Sequence, residues 1–391
     1  MPPGDPNAAP HADHPTYATP SLTEIVREWG RIGCIGFGGP PAHVVLLREL
    51  CVERRGWLTS VQFERAIAAT NVLPGPASTQ LAVYCAWRLR GGRGALLGGL
   101  GFIVPGLVAI LALSVLFLSS SPPLWVRGAG MGAGAAVAAV AVRAGLGVAG
   151  PIWAAAAWRR RVRVLAYGVA GAAGAALAGP WLVLVLIACG LLELLRRGVH
   201  LPAWLPLAAI PEPGGTLALV WTALKVGALA FGGGFVIVPL MQSDAVGTYH
   251  WMTHAQFLNA VALGQVTPGP LTQTVAVVGY AAGGLPAALL AALVAFAPSF
   301  SFILIGAARF ERLLADERVL AFLAGAAPSA AGAIVGAAVP LTSALAEGWQ
   351  YAVLAGGAIA LLVLRRGVVP TLLLAGCAGV AAVLLGAPVP S

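Results

Sequence analysis

Two Pro-Gly-Pro segments are the parts of this chain best suited to bind an anion. Pro74-Gly75-Pro76 and Pro268-Gly269-Pro270 each interrupt an apolar stretch and are followed by polar side chains. Because proline removes a backbone donor and glycine adds backbone freedom, a helix must stop at each segment and another must begin there. The first N–H groups of the new helix lack partners and carry about half a positive charge, which suits an oxyanion.

The predicted anion donors follow each segment directly: Ala77, Ser78, Thr79 and Gln80 in the first half of the chain, and Leu271, Thr272, Gln273 and Thr274 in the second. Backbone N–H groups would supply most of the contacts, and hydroxyl and amide side chains would add others. The alternative is a pair of structural kinks lined by polar caps. The symmetric polar pair favours a functional role.

A second pair of motifs precedes these segments. Phe37-Gly38-Gly39 is followed by Pro40, and Phe231-Gly232-Gly233-Gly234 lies in the second half. Small residues allow either close helix packing or a further helix break. We expect both roles, with a break near Pro40, and include the two motifs in the predicted substrate site.

Arg31 and Lys225 lie just before these motifs, within apolar sequence. A cation inside a membrane span costs about 2.5–3.5 kcal/mol, so two of them at matching positions suggest a role in attracting the anion. The alternative is that each side chain extends to the membrane surface, with Arg31 pairing with Glu28 or Glu24.

Four titratable side chains near the breaks are candidates for proton coupling: Glu28, His43, Glu64 and Asp244. Each one, taken singly, also fits a structural role. The sequence predicts no metal and no cofactor, because the five cysteines are isolated and His250 and His254 lack a third ligand. No phosphate-binding loop is present, so an ion gradient must supply the energy. We therefore do not expect an enzyme.

The composition indicates a membrane protein. Of 391 residues, 59% are hydrophobic and 9% are charged, too few charges to cover a soluble particle of this size. The net charge of +9 comes from arginines clustered between apolar runs, where they set membrane orientation. Nucleic acid is therefore not an expected partner, whereas the lipid bilayer is.

The chain contains an internal repeat. A shift of 194 positions aligns residues 31–76 with 225–270 without a gap, with roughly a third of the positions identical. The predicted organisation is a disordered tail at 1–20, a first repeat at 21–197, a linker at 198–215 and a second repeat at 216–391.

Each repeat is predicted to have five spanning helices and one re-entrant hairpin broken at Pro-Gly-Pro. The predicted spans are 21–46, 95–118, 128–147, 164–179 and 180–195, then 216–241, 286–308, 319–341, 348–364 and 368–385; the hairpins are 60–87 and 253–282. The arginine-rich loops all fall on one side, which assigns that side to the cytoplasm. An odd number of spans inverts the second repeat. The predicted fold class is thus an all-α polytopic membrane protein with two inverted-topology repeats, an arrangement typical of secondary transporters.

The motifs resemble those of the chromate ion transporter family in its long, two-domain form. The resemblance is carried by Phe37-Gly38-Gly39-Pro40, Trp57-Leu58-Thr59, Leu73-Pro74-Gly75-Pro76 with Thr79-Gln80, and their counterparts Phe231 to Phe235 and Thr267 to Pro270 with Gln273-Thr274. It implies export of chromate from the bacterial cytoplasm, driven by the proton gradient, with sulfate as a look-alike. One departure is Tyr84-Cys85-Ala86-Trp87, where the family has Gly-Tyr; Gly279-Tyr280 keeps that pattern.

We therefore predict a secondary transporter of a tetrahedral oxyanion, in which one repeat rocks against the other. The expected activity is chromate efflux across the bacterial inner membrane, with protons as the coupled ion. Sulfate or chromate/sulfate uptake is the alternative, and an anion channel is another. A membrane reductase would need a flavin or metal site, which the sequence does not offer. Assembly of two chains into a homodimer is compatible with the sequence.

Overall fold

A computed structural model describes residues 19–73, 75–119, 121–177, 179–198, 214–230, 235–307 and 316–389. Within these ranges all regular structure is helical, as predicted. Several predicted features lie outside the described residues: nearly all of the 1–20 tail, Pro74, the Phe231–Gly234 motif and most of the 198–215 linker.

The described part of the first half contains seven α-helices and a 3-10 turn at Gly179–Trp181. The α-helices are α1 Leu22–Ile35, α2 Pro40–Arg48 with a π-helical extension Glu49–Arg54, α3 Ser60–Val72, α4 Ala77–Phe117, α5 Leu124–Ala155, α6 Trp158–Leu177 and α7 Leu182–Arg196.

The described second half follows the same order. It contains α8 Gly215–Leu229, α9 Ile237–Gln242 with a π-helical extension Ser243–Thr248, α10 His254–Val266, α11 Thr274–Gly306 preceded by a 3-10 turn Leu271–Gln273, α12 Glu317–Gly336, α13 Ala338–Ser343, α14 Gly348–Ala358 with a π-helical extension Ile359–Val363, and α15 Val368–Leu384.

Among the described residues, four helical stretches are long and apolar enough to cross a membrane: Ala77–Phe117, Leu124–Ala155, Leu271–Gly306 and Glu317–Ser343. Shorter apolar helices cover Gly215–Leu229, Gly348–Val363 and Val368–Leu384. The predicted spans 319–341, 348–364 and 368–385 match helices of this set within two residues. The predicted spans 95–118 and 286–308 correspond to only the later parts of α4 and α11, and 128–147 is shorter than α5.

The same local signal starts α3 and α10. Thr59 accepts a hydrogen bond from the Gln62 backbone while the Gln62 side chain caps Thr59, and Thr253 and Gln256 repeat this reciprocal arrangement. Such a capping box satisfies two backbone donors that the first turn would otherwise leave unpaired.

The first predicted span of each half is not one straight helix. Glu28 on α1 and Arg55 after α2 form an ion pair of 2.6 Å, although a continuous helix would separate residues 27 positions apart by about 40 Å. Lys225 on α8 and Asp244 after α9 also pair at 2.6 Å. The prediction of full spans at 21–46 and 216–241 is therefore wrong: each folds back on itself.

Glycine permits the first of these reversals. Gly38 and Gly39 have φ of +97° and +74°, a region that favours glycine, and they lie between the end of α1 and the start of α2. The break predicted near Pro40 is confirmed. We call α1–α2 and α8–α9 the leading hairpins, and α3 with the first part of α4, and α10 with the first part of α11, the Pro-Gly-Pro hairpins.

The first Pro-Gly-Pro hairpin also folds back. The Cys85 thiol in α4 lies within hydrogen-bonding reach of Cys51, before α3, and Phe63 in α3 packs in one buried cluster with Leu81 and Ala86. The two ends of this segment thus lie close together, as the prediction of a returning segment requires.

A second turn sits within α4 and α11. Gly91 (φ +58°) and Gly284 (φ +70°) depart from helical geometry. A Cβ atom on Gly94 would touch the backbone of Ala86, eight residues earlier, so the chain reverses here. The later part of α4 then runs beside the later part of α11 in the antiparallel sense, because Gly92 faces Leu304 and Gly99 faces Phe300.

Candidate functional site

The tips of the hairpins contact each other across the two halves of the chain. The Gly269 N–H donates to the Gly36 carbonyl at 3.0 Å. In the counterpart of this contact, a Cβ atom on Gly75 would lie 3.2 Å from the Gly227 carbonyl. Each Pro-Gly-Pro tip therefore abuts the leading hairpin of the other half.

Two helix N-termini begin at these tips. Pro76 and Pro270 are N-cap residues, one position earlier than a first helical residue, and neither helix start receives a side-chain cap. Gly75 and Gly269 have φ of +122° and +94°, which lets the chain turn directly into the new helix. The uncapped N–H groups carry the partial positive charge that was predicted.

Most of the predicted donor residues are buried. The side chains that are nearly inaccessible are Ser78, Thr79, Gln80, Thr272, Gln273 and Thr274. Polar groups removed from water normally find a hydrogen-bond partner, because an unmade bond costs about 1–3 kcal/mol.

Two of these hydroxyls break that rule. The Oγ1 atoms of Thr79 and Thr272 have no hydrogen-bond partner, and neither has Oε1 of Gln273. By contrast, the Thr274 hydroxyl already has a partner, because it donates to the Leu271 carbonyl at 2.8 Å. The Gln273 amide nitrogen donates to Pro268 at 2.7 Å. Each helix start thus contains one buried threonine hydroxyl without a hydrogen-bond partner.

The Phe-Gly-Gly motif of the first half is accessible at its break, where Phe37 and Gly38 are exposed. Its counterpart in the second half lies outside the described residues.

The two predicted cations differ in their surroundings. Arg31 is exposed and takes part in none of the ion pairs among the described residues. The suggested pairing of Arg31 with Glu28 or Glu24 is wrong, because Glu28 pairs with Arg55 and Glu24 bonds to Ser21 in the cap of α1. The hydrogen bond with Glu28 raises the pKa of the Arg55 guanidinium.

Lys225 is mostly buried and already paired. Its Nζ lies 2.6 Å from Asp244 Oδ2, and the Thr222 hydroxyl donates to the same oxygen at 2.8 Å. The structure therefore joins a predicted anion-attracting residue to a predicted proton-coupling residue.

The remaining proton-coupling candidates occupy different places. His43 is fully buried with Nε2 2.9 Å from the Gly36 carbonyl, the same oxygen that receives the Gly269 N–H, and its Nδ1 has no partner. Glu64 lies exposed in the first turns of α3, 3.6 Å from Arg48, and so away from the tips.

Sequence reasoning missed that Glu28 and Thr222 are equivalent positions. The 194-residue shift pairs them, and both are buried and bonded to the returning limb of their own hairpin. The same shift pairs Arg55, which stacks over Trp57, with Tyr249, which stacks on Trp251. The 194-residue shift is sufficient to identify both pairs of equivalent positions in the sequence.

No cluster of three or more histidine, cysteine or acidic side chains with metal-binding geometry occurs in the part of the chain that the structure describes.

Comparison with known proteins gives consistent matches. The family model described as chromate transporter matches residues 23–194 and again 217–382. A chromate transport protein of Cupriavidus metallidurans is 30% identical over 93% of this chain and 92% of its own length. One of Pseudomonas aeruginosa is 32% identical over 86% and 85%, respectively. No solved structure matches.

Proposed function

Because this chain belongs to the chromate transporter family, we propose that it is a secondary active transporter that carries chromate out of the bacterial cytoplasm. It is a multi-pass membrane protein, and we place it in the inner membrane. The membrane-potential component of the proton electrochemical gradient drives the efflux, and the substrate is held as a tetrahedral dianion.

The observation that carries this proposal is the pair of uncapped helix starts at the contacting hairpin tips. Each start offers backbone N–H groups and one threonine hydroxyl without a partner, at Thr79 and Thr272. Donors of this kind bind a dianion without placing a bare lysine at the bilayer centre. The absence of a side chain at Gly36, Gly75, Gly227 and Gly269 lets the backbones of the contacting hairpins approach each other.

Alternating access follows from an inverted repeat in this proposal. The antiparallel packing of the later parts of α4 and α11, which are equivalent helices, supports opposite orientations of the two halves. Two inverted halves that share a central site can expose it to either side by rocking.

The test is uptake of radiolabelled chromate into everted membrane vesicles, with and without an imposed proton electrochemical gradient whose potential is positive in the lumen, and with excess sulfate. We expect saturable, gradient-dependent uptake. Flux that neither saturates nor falls when the gradient is discharged would instead identify an anion channel. Gradient-driven movement in the opposite direction, shared with sulfate, would identify the uptake alternative.

A matched pair of variants tests the site itself. Valine has nearly the shape of threonine but no hydroxyl, so Thr79→Val with Thr272→Val removes both free donors. A hydrogen bond to a charged group contributes about 1.5–3 kcal/mol, so we expect KM for chromate to rise at least about tenfold. The control is Thr70→Val, whose buried hydroxyl bonds to Ala66 within α3. An equal effect in both would reject the assigned site.

A further inference from the structure

The pair of Lys225 and Asp244 holds two opposite charges one helical turn before the end of α8. The exposed fractions of the two side chains are 17% and 5%, and the Trp221 ring lies 5.8 Å from Nζ. Lys225 is two residues from Gly227, whose carbonyl faces the Gly75 tip. A buried charge that loses its partner is strongly destabilised, so neither charge can change independently of the other.

The described residues of the elements around this pair contain no other carboxylate that could pair with Lys225. The pair is packed among α8, α9, α10, α11 and the turn Gly179–Trp181. In the described residues of these elements, the other titratable side chains are His254 at the exposed start of α10 and Tyr280 on α11. Asp244 is thus the one carboxylate of these elements that neutralises Lys225.

The first half of the chain lacks this arrangement. Arg31 is the counterpart of Lys225 and is exposed, while Leu50 stands where the second half has Asp244. Glu28, the counterpart of Thr222, pairs with Arg55 instead. The second half therefore pairs the cation at this helix position with a carboxylate, and the first half does not.

We propose that Asp244 and the transported anion compete for the Lys225 ammonium, so that one proton binds Asp244 for each anion that Lys225 binds. This inference rests on the proposed function. When the anion takes the ammonium, the Asp244 carboxylate is left buried without a counter-charge, and a proton from water neutralises it. When the anion leaves, the proton returns to water and the ion pair forms again.

The competition fixes the direction in which the proton moves relative to the anion. Proton and anion travel in the same direction, and a dianion with one proton carries one net negative charge. The inside-negative membrane potential, one component of the proton electrochemical gradient, drives such a complex out of the cell, whereas the other component, a cytoplasm more alkaline than the outside, opposes its exit.

The test uses the full chain in proteoliposomes with the membrane potential clamped at zero and a pH difference imposed. Both sides are buffered above the pKa of hydrogen chromate, so that chromate itself binds no proton. We expect radiolabelled chromate to accumulate on the alkaline side, about tenfold for each pH unit. Asp244→Asn should abolish this accumulation and retain exchange of chromate across the membrane.

The matched control is Glu193→Gln, which removes a carboxylate that is also buried and paired, with Arg163 at 3.0 Å on α6. This variant should accumulate chromate as the unchanged protein does. Accumulation on the acidic side, or unchanged accumulation in Asp244→Asn, would overturn the competition while leaving the transporter intact. Absence of any chromate flux in the unchanged protein would overturn the proposed function itself.

A second measurement applies even if Asp244→Asn fails to insert. Chromate added to the purified, weakly buffered protein should cause uptake of about one proton for each anion bound, followed with a pH indicator. Lys225→Gln should show no such uptake. An unchanged protein that binds chromate without taking up a proton would refute the competition.

Discussion

Gly75 shows how one residue type controls the approach of two helical hairpins. Its φ of +122° is available to glycine and disfavoured for other residues. A Cβ atom here would lie 2.6 Å from the Gln80 amide nitrogen and 3.2 Å from the Gly227 carbonyl. Any side chain must therefore strain the backbone and separate the Pro-Gly-Pro tip from the opposing leading hairpin.

We accordingly expect Gly75→Ala to lower the free energy of unfolding by about 1–3 kcal/mol and to abolish transport. The control is Gly386→Ala, which has a similar φ of +94° but no atom within 4 Å of its Cβ position. Thermal denaturation in detergent and vesicle uptake measure both effects. Normal uptake by Gly75→Ala would show that contact between the tips is dispensable.

Arg31 is an accessible cation without an ion pair among the described residues, so its removal should cost little stability. A charge acting on the anion through a watery environment contributes about 1 kcal/mol, or about a fivefold rise in KM for Arg31→Gln. Arg27→Gln serves as the control, because Arg27 lies one turn earlier on α1 and is 70% exposed. Equal KM values for the two variants would remove Arg31 from the anion pathway.

At the scale of elements, a buried ion pair joins α1 to the residues that follow α2. Glu28 is buried and bonded to Arg55, whose side chain is 31% exposed. Breaking a buried pair costs about 3–5 kcal/mol, and the partial exposure of Arg55 places this case near the lower end. We expect Glu28→Arg to lower the melting temperature clearly, and the added change Arg55→Glu to restore at least half of the loss.

The control for this charge reversal is the exposed pair of Arg48 and Glu64, separated by 3.6 Å. Reversing Arg48 should cost less than about 1 kcal/mol, because water screens exposed charges. If Glu28→Arg were equally mild, the leading hairpin would not depend on this contact.

Local sequence predicted the helix breaks and failed to predict the reversals of the two leading hairpins. Proline and glycine specify where a ladder of hydrogen bonds must stop, so Pro40, Pro76 and Pro270 lie at or beside observed helix starts. The direction of the chain after a break depends on glycine dihedral angles and on long-range contacts. An apolar stretch of about 26 residues looks the same whether it crosses a membrane or turns back.

Part of the site could be predicted because proline and glycine mark the helix breaks in the sequence. The threonines of the two helix starts could be named because each follows a breaking segment. The pairing of Lys225 with Asp244 could not, since the two residues are 19 positions apart and meet only because α8 and α9 fold together. Glu64 is exposed, and the composition of the chain does not show which of the candidate carboxylates are exposed and which are buried.

At the scale of the whole molecule, the halves are interleaved and not merely adjacent. Helix α12 of the second half packs on α6 of the first, where Gly332 and Gly168 are in backbone contact. Helix α5 packs on α15 through Gly132 and Gly379 in the same manner. Glycine at such crossings lets two backbones approach closely, the usual means of joining helices in a membrane. Rocking of the halves must therefore preserve these crossings.

The inverted orientation of the halves gives the most decisive prediction. Arg93 and Pro286 are equivalent, each exposed just after the turn within α4 or α11. With the native cysteines replaced, Arg93→Cys should react with a membrane-impermeant maleimide only from the cytoplasmic face, and Pro286→Cys only from the opposite face. Arg54→Cys, at the end of the π-helical extension of α2 and on the side predicted to be cytoplasmic, should follow Arg93→Cys. If Arg93→Cys and Pro286→Cys were labelled from one face, the halves would be parallel, and the two helix starts could not serve one central anion site by alternating access.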